Sequence, residues 1–134
     1  MVAVGAMSLL LVALLSLVSL SIRNSRLAKD RTQAVALAQG GIELMRAYRD
    51  FSWVGLRGVA GGTKYDLPRI WVVGDGLTVD CDEGSFAIDN FFRRCVQIQE
   101  IDAQEMAVSV EVVWQEGNQT YETVQKTKLS VWER

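Results

Sequence analysis

Few of the 134 residues in this chain could do chemistry, and one type is missing altogether. There is no histidine. That removes the commonest general base and metal ligand, so Ser-His-Asp, Cys-His and His-zinc sites cannot be built. Two cysteines, Cys81 and Cys95, are too few for a structural zinc site but enough for one disulfide. Asp75, Asp80, Asp82 and Glu83 lie in a glycine-punctuated stretch whose oxygen ligands would suit calcium. However, Asp80-Cys81-Asp82-Glu83-Gly84 does not complete EF-hand spacing, and a solvated acidic turn is the commoner reading, so no metal or cofactor is expected. Nothing beside Asp80 and Asp82 in sequence would raise their pKa values for acid–base work. G-x-x-x-x-G-K-[ST], G-x-S-x-G and C-x-x-C motifs are absent. No enzyme is expected.

Other clusters have plainer readings. Phe91-Phe92-Arg93-Arg94 resembles a basic-aromatic nucleic-acid patch, but the formal net charge is −2. An alternating strand with its basic side exposed accounts for the cluster, and no nucleic-acid partner is expected. Asn118-Gln119-Thr120 matches a glycosylation sequon but falls in a predicted hairpin turn. Trp53, Trp71, Trp114 and Trp132 read as core and helix-to-sheet packing rather than a ligand platform.

The elements that would position these residues divide the chain sharply. The first 22 residues, MVAVGAMSLLLVALLSLVSLSI, carry no charge. As a helix they would reach roughly 33 Å, close to the hydrocarbon thickness of a bilayer. Leu9, Leu10, Leu11, Leu14, Leu15 and Leu17 leave no polar face, so a membrane-spanning helix is expected rather than a surface helix. A cleaved signal peptide is disfavoured: no basic region precedes the run, the run exceeds the usual apolar core of such peptides, and no clear small-x-small site follows it. Gly5, Ala6 and Ala13, with Ser8, Ser16, Ser19 and Ser21, are small enough to let another helix approach, beside Leu10, Leu14 and Leu17.

Residues 23–50 continue without a helix breaker and turn amphipathic. Leu27, Ala34, Ala38, Ile42 and Met45 recur mostly at intervals of three or four, with Val35 beside them. Gly40 and Gly41 weaken the middle of that helix by about 1 kcal/mol each relative to alanine. A helix over residues 1–50 would measure about 70 Å, too long for a compact globule of this size.

Residues 51–134 are expected to supply a small β-sheet head. Residues 51–69, glycine-rich and holding the only proline, Pro68, read as an irregular loop anchored by Phe51 and Trp53. Short β-type runs come next at Ile70–Val73, Leu77–Cys81, Phe91–Ile101, Met106–Gln115 and Tyr121–Trp132. Val108, Val110, Val112 and Trp114 alternate with polar residues, and Glu116-Gly117-Asn118-Gln119 joins the last two runs as an antiparallel hairpin. The expected class is α+β: a long N-terminal helix, membrane-spanning in its first half and amphipathic in its second, packed against a small antiparallel sheet.

A long apolar helix running into RTQAVALAQGGIELMRA, with a sheet ending VSVEVVWQEG…VQKTKLSVW, resembles the type IV pilin superfamily. More narrowly, it is similar to a minor pilin of the pilus-modification type or a type II secretion minor pseudopilin. The family's basic leader, its glycine and the Phe-Thr-Leu-Ile-Glu run have no counterpart in residues 1–134. Met1-Val2-Ala3-Val4 resembles the family's residues just after that glutamate, so the resemblance implies a leader and first mature residues upstream. It also implies a non-enzymatic minor filament subunit held in the bacterial inner membrane before assembly. Its partners would be other pilin or pseudopilin subunits, the lipid bilayer and an inner-membrane assembly platform driven by a separate ATPase. A single-pass anchored binding module and a major pilin are the alternatives.

Arg23, Arg26, Lys29 and Arg31 directly follow the apolar run, against a single Asp30. The positive-inside rule alone would leave that flank in the cytoplasm, whereas the resemblance implies a periplasmic head. In an exported head, Cys81 and Cys95, on or beside adjacent predicted strands, would bridge. The alternative is two buried free thiols. The loop closed, about 15 residues, is worth roughly 3 kcal/mol in the chain-entropy account.

Overall fold

The structure, a computed structural model, describes residues 2–68, 77–79, 81 and 88–131. It is an α+β arrangement in which a long N-terminal helix, α1 (Val2–Phe51), precedes a mixed set of short and long strands. The chain divides into two compact units, Met1–Gln33 and Ala34–Arg134.

In the first unit the stretch Leu10–Ile22 of α1 has no apolar stripe because it is uncharged and exposes apolar side chains on every side. Leu10, Leu11, Val12, Leu14, Leu15, Leu17, Val18, Leu20 and Ile22 are each more than half exposed. Ser16 and Ser19 turn their hydroxyls back to the carbonyls of Val12 (2.7 Å) and Leu15 (3.0 Å). Serine in a helix that meets no water has this way of satisfying its donor. Among the described residues, α1 is the one helix long and apolar enough to cross a bilayer.

In the second unit the remainder of α1 packs on the sheet. Ala34, Ala38, Ile42, Met45 and Tyr48 are buried, while Gln39, Glu43 and Arg46 are not. That matches the expected stripe from Ala34 onward; Leu27, in the first unit, is only half-buried. At the end of α1, Ser52 N–H donates to Tyr48 O at 2.8 Å, and the Ser52 hydroxyl accepts from Gly55 N–H at 3.0 Å. Ser52 thereby caps a second helix, α2 (Trp53–Gly58), which buries Leu56.

The expectation of an irregular loop over residues 51–69 is therefore corrected. It contains α2 and a three-residue strand, β1 (Lys64–Asp66), and Phe51 is exposed rather than an anchor, while Trp53 does pack on the core. Gly62, at φ +76°, takes a backbone conformation other residues rarely adopt. From there its N–H donates to Ile98 O and its carbonyl accepts from Gln97 Nε2, tying the segment to the sheet.

Four further strands complete the sheet: β2 (Thr78–Val79), β3 (Phe92–Glu100), β4 (Glu105–Glu116) and β5 (Gln119–Ser130). The order is β2-β1-β3-β4-β5 and every pairing is antiparallel. The expected run Ile70–Val73 lies outside the described residues. The β4–β5 hairpin forms as expected, closing on Glu116↔Gln119 around Gly117-Asn118. Gly117 has φ +61° at the first central position, the glycine place of a type II′ turn. The inner faces supply Phe92, Val96 and Ile98, then Met106, Val108, Val110, Val112 and Trp114, then Leu129, to one core with the α1 stripe.

Gly41 sets the separation of helix and sheet. A Cβ there would stand 2.7 Å from Val110 Cγ1 and 3.2 Å from Arg94 Cδ, whereas one at Gly40 would meet only Arg94 Nη1 at 3.6 Å. The close approach permitted at Gly41 is that of the sheet. Overpacking costs about 1–3 kcal/mol, and replacing helical glycine by alanine returns about 1 kcal/mol. Gly40→Ala should therefore raise stability by up to about 1 kcal/mol, and Gly41→Ala should lower it. Denaturant unfolding of the full chain in detergent, followed by tryptophan fluorescence, checks the opposite signs.

Candidate functional site

No described region gathers a catalytic set, so the candidate site is the joint that fixes the head to its helix, with the surfaces it leaves open. At its centre is Arg94, 3% exposed on the inner face of β3. Its Nε donates to Leu67 O at 3.1 Å, its Nη1 to Leu37 O at 3.0 Å and its Nη2 to Pro68 O at 2.6 Å. One guanidinium thus joins α1, β3 and the segment after β1. Arginine suits this because it stays charged and presents five donors in a rigid fork.

This corrects the reading of Phe91-Phe92-Arg93-Arg94 as a strand with its basic side exposed. Period two puts Phe92 and Arg94 on the same face, and that face is the core. Arg93 points outward but is half-buried, its Nε lacking a partner among the described residues. The pattern Phe92-x-Arg94-x-Val96-x-Ile98 carried the signal, an arginine in line with core positions.

Asp66, on β1, faces the same constraint with the opposite sign. Burial pushes its carboxyl above the usual carboxylate range, opposed by a backbone hydrogen bond from Leu67 and by the charges of Arg93 and Arg94.

The two cysteines form a disulfide with a Cα–Cα distance of 5.8 Å. Cys95 lies opposite Asp66 of β1 and Glu111 of β4. β2 and β3 are not neighbours, since β1, a strand that the sequence did not reveal, lies between them; Cys81 lies beyond the end of β2, so the bridge ties β3 to the chain that follows β2. The calcium candidates Asp75, Asp80, Asp82 and Glu83 lie outside the described residues.

The aromatic residues behave as packing groups. Trp114 is 2% exposed, stacked on Tyr121 at 5.7 Å and tilted against Phe92 at 6.1 Å. Its Nε1 has no partner among the described residues. Trp71 and Trp132 lie outside them.

Of the expected helix-packing residues, Leu10, Leu14 and Leu17 are exposed at 64%, 58% and 63%, and Ala13 is exposed beside them. Gly5 and Ala6 lie within α1. On the outer face of the sheet, Gln97, Gln99, Ala107, Ser109, Lys126 and Lys128 line an open dish of about 600 Å³. It offers donors and alkyl stems without an acid–base pair.

Comparison of the chain with protein-family models, curated proteins and solved structures gives no match.

Two outcomes test the head's construction. For Asp66, a raised folded pKa means the charged form is disfavoured by folding at neutral pH, and that cost disappears as pH falls through the folded value towards 3.8. Asp66→Asn should therefore raise the melting temperature at pH 7, with the gain vanishing below about pH 4. A loss at pH 7 would mean that the arginines outweigh burial. For the bridge, Cys81→Ser with Cys95→Ser should remove about 3 kcal/mol from head stability, read as a lower urea midpoint.

Proposed function

We propose that the chain is a structural filament subunit, anchored by α1 in a bacterial inner membrane before assembly and packed through the same helix afterwards. It would be a minor subunit of a type IV pilus or a related secretion pseudopilus, with its head in the periplasm. The observation that carries this reading is the change of character along one helix. Leu10 to Ile22 expose large apolar side chains on every side, while Ala34 to Tyr48 bury one stripe against the sheet. A helix of the first kind needs lipid or other helices around it, and exchanging one for the other is inexpensive because both are apolar. The Cys81–Cys95 bridge supports an exported head, since disulfides persist in oxidising compartments.

In this reading the partners are other pilin or pseudopilin subunits along α1, the bilayer, and an assembly platform in the inner membrane. The open dish favours a second reading, a single-pass anchored module whose sheet binds a ligand as a monomer.

Small-to-large changes separate the two. Ala13→Leu and Gly5→Leu should block incorporation into sheared filaments at least tenfold while the chain still resists carbonate extraction from membranes. Incorporation at the parental level, or the absence of any filament carrying the chain, would leave the anchored module as the better account.

A further inference from the structure

β5 is an edge of the sheet, and among the described residues β4 is its one strand neighbour. Its length of 12 residues makes it a large unpaired edge, a feature proteins usually blunt or use. Register decides which residues face outward. Antiparallel pairs alternate between hydrogen-bonded and non-bonded, and the pair closing the two-residue turn, Glu116↔Gln119, is bonded. The same phase continues to the far end, where Val131 N–H donates to Gln104 O at 2.9 Å. Odd-numbered residues of β5 therefore commit their backbone groups to β4. Thr120, Glu122, Val124, Lys126 and Lys128 turn theirs to the free edge.

The side chains of these same residues stand on the outer face. Val124 is 42% exposed, and Glu122, Lys126 and Lys128 are exposed. Lys128 reaches Glu105 at 3.3 Å, but Glu122 and Lys126 form no ion pair among the described residues. They cannot pair with each other, because four residues of strand separate them by about 13 Å. A reversed copy of the strand removes that separation.

We propose that β5 is a self-pairing edge: a second copy of the chain adds its own β5 antiparallel, with Val124 on the two-fold axis. Glu122 of each copy then lies opposite Lys126 of the other, Val124 opposite Val124, and Thr120 opposite Lys128. All of these are outward-facing positions, so the backbone phase and the charge pattern select the same register. Centring the axis on Lys126 or on Glu122 would instead set like charges face to face. Centring it on Gln125 would place Val124 against Lys126 and leave the exposed valine without an apolar partner.

The axis stands normal to the sheet, so it reverses each strand and also the segment Ala34–Phe51 on the inner face.

Charge exchange between two variants tests it. Glu122→Lys and Lys126→Glu each convert both cross-strand pairs to like charges and should weaken self-association of the full chain in detergent by about tenfold or more, read by analytical ultracentrifugation. Mixed one to one, the two variants regain opposite charges at every pair and should associate like the parent, which also shows that both are folded. Lys128→Glu, opposite Thr120, should leave association unchanged. A monomeric parent, variants that associate as the parent does, or a mixture that stays apart would overturn the pairing, and loss of association in Lys128→Glu would overturn this register.

Discussion

α1 lies so close to β4 that a single added carbon at Gly41 would overlap Val110. Much of the head depends on that closeness. It allows Arg94 to rise from the inner face of β3 and reach a helix carbonyl, Leu37 O, already engaged along the helix axis. From there the same side chain holds Leu67 and Pro68, which places β1 beside β3 and so extends the sheet toward β2. A longer separation would leave a buried cation short of acceptors, an arrangement that proteins avoid because desolvating a charge costs more than an unmade neutral hydrogen bond. Small residues on the helix and a forked donor on the sheet are therefore one device. Neither would be stable in its place without the other.

Legibility in the sequence tracks the range of the interactions involved. The stripe Ala34, Ala38, Ile42, Met45 and the alternation Val108 to Trp114 are local periodicities, readable wherever one face is buried. The turn at Gly117 is also local, because a two-residue hairpin needs positive φ there. Residues 51–69 were less legible. Their glycines and proline signal irregular chain, yet Ser52 starts α2 by capping it, and Lys64–Asp66 become strand by pairing with residues some thirty positions away. No property of a three-residue segment announces a partner at that distance. Arg94 was hidden by a different assumption, that a pair of arginines faces water. Only the phase of the strand shows that Arg93 and Arg94 must point to opposite sides.

The exposed part of α1 sets a separate requirement. Fully burying a leucine or valine is worth about 1.5–3 kcal/mol, and nine large apolar side chains from Leu10 to Ile22 lie more than half exposed. Ser16 and Ser19, among them, already satisfy their hydroxyls without water. The segment is thus suited to an apolar surrounding, such as acyl chains or other helices. Pairing between such helices is driven by close packing rather than by escape from water, which gives the small side chain at Ala13 more influence than its own burial would.

The head presents the reverse situation, an edge that is polar and yet unpaired among the described residues. Lysines along an edge strand normally protect it, because an incoming strand would have to desolvate them or meet their charge. On β5 the protection is incomplete in one respect: Lys126 and Lys128 occupy one end of the outward row, Glu122 carries the opposite charge toward the other, and Val124 lies midway between Glu122 and Lys126. An arbitrary strand gains little there, since it meets charges of both signs in a fixed order. A strand with the reversed order meets complements, and the nearest strand of that kind is β5 itself, turned round. The side chains that exclude most partners are the same ones that admit this one, because specificity is a difference between affinities rather than the strength of any single contact.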